Sequence, residues 1–439
     1  MGLLIKILTF VLIISILVIL HEFGHYLPAK WFKTRVEKFY LFFDWKFSLF
    51  KKKIGETEWG IGWLPLGGYV KIAGMIDESM DTEQMQKDPE SWEFRSKPAW
   101  QRLIIMLGGV TVNFFLAWII YSALLFTNGD TYIPAENLKY GILVDSVGQK
   151  LGLRTGDKIL SIDGEKSVKF TDAAKDILFG DEITVNRDGK KVTIQIDDEG
   201  KKDFLNRSGS NFLFYRMRPY VDRTLKDYSA AKAGILAGDL ITAVNGEEIT
   251  YYSDFLEKMK VFDANENISI AVERDGTNKI FDLKLSEDKK VGIYPSVADL
   301  SVTDTYDFLA SIPAGFKKTI KVLTDQVRQF KIIFNRKTEG YKKVKGPIGI
   351  VEMMPPVWDW DFFWGFLAYF SVWLAFVNLL PIPALDGGHV MFLLYEMISG
   401  RPPSEQVLER GQIIGFIIVM GLMAVIFGND IWNVIKRFL

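Results

Sequence analysis

Four stretches of this chain are long and nearly free of charge, which restricts it to folds that a lipid bilayer accepts. Residues 2–20 are apolar apart from Lys6, residues 103–128 and 362–385 carry no Asp, Glu, Lys or Arg, and residues 413–427 form a shorter run. A backbone in hydrocarbon must satisfy its own N–H and C=O groups, so such segments read as membrane-spanning helices. Lys6 can snorkel from near a helix end, and Trp432 with Lys436 can mark an interface. No small-residue cleavage pattern follows residues 2–20, and the run leads straight into His21-Glu22-Phe23-Gly24-His25. A retained helix is therefore expected there rather than a cleaved signal peptide. Four spans are the expectation.

Composition adds two exclusions. The 439 residues allow two to four domains, and a net charge of −1 gives no electrostatic case for nucleic-acid binding. The absence of cysteine rules out disulfides and thiolate metal sites, so a metal must be held by His, Asp or Glu. Sidedness comes from basic residues. Lys30, Lys33, Arg35, Lys38, Lys46 and Lys51-Lys52-Lys53 follow the first span, whereas Lys6 alone precedes its centre. The positive-inside rule then puts HEFGH near the cytoplasmic face and the large middle region outside the cytoplasm.

That middle region repeats itself. GLRTGDKI at 152–159 with Asp163-Gly164 matches GILAGDLI at 234–241 with Asn245-Gly246, at a constant offset. Each copy has a Gly-Asp turn, an apolar strand and a hairpin turn, and further strands precede Asp188-Gly189 and Asp275-Gly276. Two small β-rich domains are expected, and residues 233–246 resemble the corresponding stretch of PDZ domains. After them, residues 316–334 alternate apolar positions with Lys317, Lys318, Lys321, Arg328 and Lys331. This is an amphipathic helix that could lie on the membrane surface or pack on the adjacent β domain.

The chemistry concentrates at the ends of two spans. His21 and His25 are four residues apart, one turn along the same helix face, where two imidazoles can hold one Zn²⁺. Glu22 beside them can act as a base for the attacking water. The chain has three histidines in all, and these two lie where ionisable side chains are expensive. A third ligand is required, and Asp386 is the best candidate in Asn378-Leu379-Leu380-Pro381-Ile382-Pro383-Ala384-Leu385-Asp386-Gly387-Gly388-His389. Its carboxylate ends an uncharged run, although it could instead cap the next turn. Pro381 and Pro383 free carbonyls that are tolerated at membrane depth mainly around a hydrated cavity. Asn378 can donate to a developing oxyanion or satisfy freed backbone groups. His389 suits a solvated helix end, and Asn113 in the second span suits packing between helices. Nitrogen and oxygen ligands with an open position favour zinc.

Together these motifs resemble the site-2 protease family of intramembrane metalloproteases, within it the bacterial regulator-of-sigma-E protease group with tandem PDZ domains. HEFGH matches the first motif and NLLPIPALDG at 378–387 the second. WLPLGGYVK at 63–71 looks like the loop that reaches toward the membrane, and GPIGI at 346–350 like the stretch before the third span. The resemblance implies zinc held by His21, His25 and Asp386, with Glu22 as base, in regulated intramembrane proteolysis at the bacterial cytoplasmic (inner) membrane. It implies a single-pass transmembrane protein as substrate, typically an anti-sigma factor already trimmed by another protease, with the PDZ pair as a filter. Substrate contacts are expected at Gly67, Gly68 and Tyr69, in a segment able to receive an added strand, and at Pro381. In the second span the family's Gly-Pro-x-x-Asn is Gly109-Val110-Thr111-Val112-Asn113 here, which changes a helix bend.

The expected architecture is an α-helical polytopic membrane protein with about four transmembrane helices and two inserted PDZ-like domains. The first helix occupies 1–27, a cytoplasmic or membrane-associated loop region 28–99 and the second helix 100–128. PDZ-like domains follow at 135–220 and 221–300, then an amphipathic membrane-surface segment at 301–360, a broken third helix at 361–388 and a fourth at 411–435. The expected partners are a membrane-protein substrate, lipid, and peptide or protein tails at the PDZ-like domains. A membrane-anchored adaptor would have no use for paired His and Glu in a spanning helix.

Overall fold

The computed structural model describes residues 2–75, 88–166, 168–206, 212–297 and 300–436; the remaining positions of the expected domain ranges lie outside them. Two units divide the chain. One comprises residues 1–129, 305–331 and 341–439, the other residues 130–304 and 332–340.

The first unit contains four helices long and apolar enough to cross a membrane: Gly2–Trp31, Ala99–Asn128, Trp360–Asn378 and Gln406–Trp432. The first does not stop at the apolar run but continues through HEFGH to Trp31. It crosses the second at a point where neither helix has a side chain. A Cβ on Gly24 would strike the backbone of Gly108, and one on Gly108 the backbone of Gly24. Small residues of this kind let spanning helices approach where water cannot drive them together. Ile13, Leu17, Ala117, Phe363, Leu367 and Val372 then close a core shared by the first three spans.

The third span ends at Asn378, and a new helix begins at Asp386 and runs to Ser399. Ala384 takes φ 95°, a left-handed conformation that costs a non-glycine residue about 1–2 kcal/mol. Gly387 and Gly388 press against the backbone of Leu379, Leu380 and Pro383, leaving no room for a Cβ. The fourth helix is tied near its far end by Asp430, whose buried carboxylate accepts from the N–H groups of Gly346, Ile348 and Gly349 at 3.0, 2.9 and 3.1 Å.

The segment expected as a loop is in large part a β-structure of Val36–Ile54 and Thr57–Ile72. Residues 38–41 pair with 68–71 on one flank and with 58–61 on the other, while 48–54 pair with the outer flank of 57–62. Residues 68–72 therefore form an edge; among the described residues no strand pairs with their far side. Tyr40 and Tyr69 stack with centroids 5.3 Å apart, and their hydroxyls donate to Glu58 and Asp44. The amphipathic helix Phe308–Phe334 packs apolar residues on the bundle: Phe316 meets Phe114 and Trp118, and Phe330 meets Phe376.

In the second unit the repeat takes physical form. The strands Lys158–Ile162 and Leu240–Val244, and the helices Phe170–Phe179 and Tyr252–Val261, occupy matching positions in the two copies. Each copy buries its own apolar cluster, one around Ile142, Leu153 and Ile183, the other around Ile235, Ile241 and Ile270. Each is locked by the aspartate of its Gly-Asp turn. Asp157 accepts from the backbone of Arg154 and from the guanidinium of Arg187 at 2.8 and 2.7 Å; Asp239 accepts from Leu236 and from Arg274 at 2.5 and 2.7 Å. Each arginine also donates to a turn carbonyl, Gly152 or Gly234, at 2.8 Å.

Burial alone would raise the pKa of Asp239, but the Arg274 guanidinium and the Leu236 N–H outweigh it and hold the carboxyl below its usual range. A depressed pKa contributes stability that is complete above the unfolded value of about 3.9 and is lost as pH falls through the folded value. Asp239→Ala is expected to destabilise the second repeat by about 3 kcal/mol at neutral pH. Urea unfolding should show that deficit shrinking below about pH 4.

Candidate metal centre

Three chain segments bring their polar side chains to one point. The four-residue spacing puts His21 and His25 on the same face of the first helix, with Nε2 atoms 3.3 Å apart. Oδ2 of Asp386, in the first turn of the helix after the proline break, lies 3.3 Å from each of them. That oxygen is buried without a hydrogen-bond partner. Three lone-pair donors thus converge on one point.

The spacing suits a specific ion. Zinc bound at about 2.0–2.2 Å in a tetrahedral site separates its ligand atoms by about 3.3–3.5 Å. The described residues contain this one group of three or more His, Asp and Glu able to hold a metal. Nδ1–H of His25 donates to the carbonyl of Ile105 at 2.9 Å, which leaves Nε2 with a free lone pair.

The second helix makes room for both rings. A Cβ on Gly109 would strike His25 Nε2 and lie 2.6 Å from Cε1 of His21. Asn113, one turn later, is buried with Nδ2 3.2 Å from Nδ1 of His21. Neither residue was assigned to the site from sequence. The signal was present nonetheless: Gly109 and Asn113 are four apart and so share a helix face.

A cavity of about 1040 Å³ opens beside the donors. Its wall includes His21, Glu22, His25, Asn378 and Asp386. Asn378 ends the third span with Nδ2 3.1 Å from Nε2 of His21. Glu22 faces the backbone of Val70, and Gly68 fits so closely that a Cβ there would strike Val18 and the carbonyl of Tyr40, with Glu22 in ordinary contact beyond. The sheet edge therefore runs along the cavity, contributing Gly67, Gly68, Tyr69, Val70 and Lys71 to its wall. Pro381 is exposed and does not line it. His389, expected at a solvated helix end, does line it but is not part of the three-donor group.

A metal-ready triad inside an apolar helical bundle, beside a cavity and a strand edge, defines a membrane-embedded metallohydrolase. The chain belongs to peptidase family M50, whose sequence profile matches residues 9–422. It is 29% identical over 451 residues to the regulator of sigma-E protease RseP of Escherichia coli K12, covering 96% of this chain and 97% of that protein. It is 29% identical over 454 residues to a protein of Vibrio cholerae serotype O1 named as a zinc metalloprotease, covering 96% and 97%. A similarly named protein of Xylella fastidiosa strain Temecula1 is 27% identical over 444 residues, covering 95% and 96%. This protein is accordingly a multi-pass bacterial membrane protein and a zinc metalloprotease of the site-2 type.

Gly109→Ala is expected to push the two imidazoles out of register and weaken zinc binding by more than about tenfold. Zinc content after dialysis against a chelator, compared with the parent protein, measures this.

Proposed function

We propose that this protease cuts single-spanning membrane proteins, with His21, His25 and Asp386 holding Zn²⁺, Glu22 as the general base and Asn378 as an oxyanion donor. The observation that carries the reading is the sheet edge 68–72 running past Glu22 and the three-donor group in one cavity. Zinc, when bound, supplies Lewis acidity that activates water and polarises a carbonyl. Glu22 takes the proton of the attacking water and passes it to the leaving amine. Asn378 directs its amide N–H at the oxygen on which charge develops.

A substrate helix keeps its carbonyls inside its own hydrogen bonds, so it must unwind before attack. The edge at Gly68, Tyr69 and Val70 receives the unwound segment as an added strand, which repays part of the lost helical bonds. Pro381, which does not line the cavity, is kept as a secondary contact for the substrate. The two repeats in the middle unit act as PDZ-like domains that screen substrates or bind their tails. The Escherichia coli relative is named for sigma-E regulation, and the motif resemblance implies an anti-sigma factor as the substrate type and regulated intramembrane proteolysis as the setting. The basic residues after the first span support a cytoplasmic-side active site in the bacterial inner membrane, with the PDZ-like pair on the opposite side.

Glu22→Gln should lower cleavage of a co-expressed single-pass protein by about 10²–10⁴-fold while zinc content stays unchanged. Asn378→Ala should lower it about 10²–10³-fold, also without loss of zinc. Cleavage persisting in Glu22→Gln sinks the assignment. Topology has its own test, because the chain has no cysteine of its own. Lys190→Cys in the middle unit should react with an impermeant maleimide in spheroplasts, and Lys51→Cys only after lysis; the reverse pattern overturns the sidedness.

A further inference from the structure

Asn113 has no exposed surface and sits with Nδ2 3.2 Å from Nδ1 of His21, while its own Oδ1 is buried without a partner. These are two sides of one anomaly. If Nε2 of His21 points its lone pair at a metal, Nδ1 carries the ring proton. A donor then faces a donor, and an acceptor beside it is left unsatisfied at the usual penalty for a buried polar group. The oxygen and nitrogen of a side-chain amide exchange places by a half-turn about the terminal bond, with no change in shape. That half-turn replaces the donor–donor contact with an Nδ1–H···Oδ1 hydrogen bond.

We propose that Asn113 is a positioning residue for the metal centre: its Oδ1 accepts Nδ1–H of His21, fixing the tautomer and ring plane that present Nε2. The proposal rests on His21 being a zinc ligand. Two further observations support it. Ser371 Oγ donates to the backbone carbonyl of Asn113 at 2.7 Å, which pins this turn of the second span to the third. Ile105, Gly109 and Asn113 also fall at successive four-residue steps along one helix face. Ile105 gives its main-chain carbonyl to His25, Gly109 gives space, and Asn113 gives a side-chain oxygen to His21. One stripe of the second helix thus sets both imidazoles. Of the two acceptors, the one at Asn113 can be altered without touching the backbone.

The test uses the purified full-length chain in detergent, with zinc affinity measured by competition with a chromophoric chelator. Asn113→Leu keeps the branching at Cγ and removes the acceptor; Asn113→Asp keeps an oxygen in place. Asn113→Leu should weaken zinc binding about 10–100-fold, and Asn113→Asp should stay close to the parent. The melting temperature of the zinc-free protein should be nearly the same in both, while the rise on adding zinc shrinks only in Asn113→Leu. Asn113→Val replaces Asn113→Leu if the latter does not fold. Parent-like zinc affinity in the Leu or Val variant, or equal weakening in the Asp variant, overturns the proposal. Parent-like zinc affinity in His21→Ala is a separate result and overturns the ligand assignment instead.

Discussion

Polar atoms that converge inside an apolar bundle govern the rest of this structure. Two imidazoles and a carboxylate placed among spanning helices are costly unless each finds a partner, and here they meet one another, with Ile105, Asn113 and Asn378 beside the rings. That requirement explains features that otherwise look unrelated. The first and second helices must come close enough for glycine to face glycine at Gly24 and Gly108. The third span must break, so that a new helix can begin with Asp386 at the depth of the histidines. The strained Ala384 and the crowded glycines after Asp386 are local costs of that break.

Much of this was legible before any coordinates. Charge-free runs identify spans because hydrocarbon leaves the backbone no alternative, and a four-residue His spacing identifies a face because the helical repeat is fixed. The Gly-Asp turns of the two repeats were legible for a further reason, since Asp157 and Asp239 each anchor an arginine fork that locks the turn. Asp386 was the best candidate for a third ligand, with capping of the next turn as the alternative, and its Oδ2 lies 3.3 Å from both imidazoles.

What stayed hidden is relational. The amphipathic helix at 308–334 advertised an apolar face but not which surface covers it, and the answer was the bundle. The order of strands in the ribbon could not be read from residues 36–72, because 38–41 pair on both flanks and only the fold decides which flank is the edge. Asn113 read as helix packing because a lone amide in a spanning helix has many partners to choose from. His389 read as a helix end facing water, and the helix end proved to face the cavity.

The edge at residues 68–72 carries a consequence for selectivity. Main-chain hydrogen bonds offered by a strand are indifferent to the side chains of whatever lies beside them. An edge that received substrate as proposed would read no motif through its main chain, yet it would tell stiff segments from pliable ones, because every incoming residue would first surrender a helical bond. Under that proposal sorting would depend on how cheaply a segment gives up its helix: glycine, proline or β-branched residues at the right depth would mark a candidate, and unbroken leucine would not. Unrelated sequences could share one fate here through a common softness, and a tightly wound helix would be spared whatever its composition elsewhere.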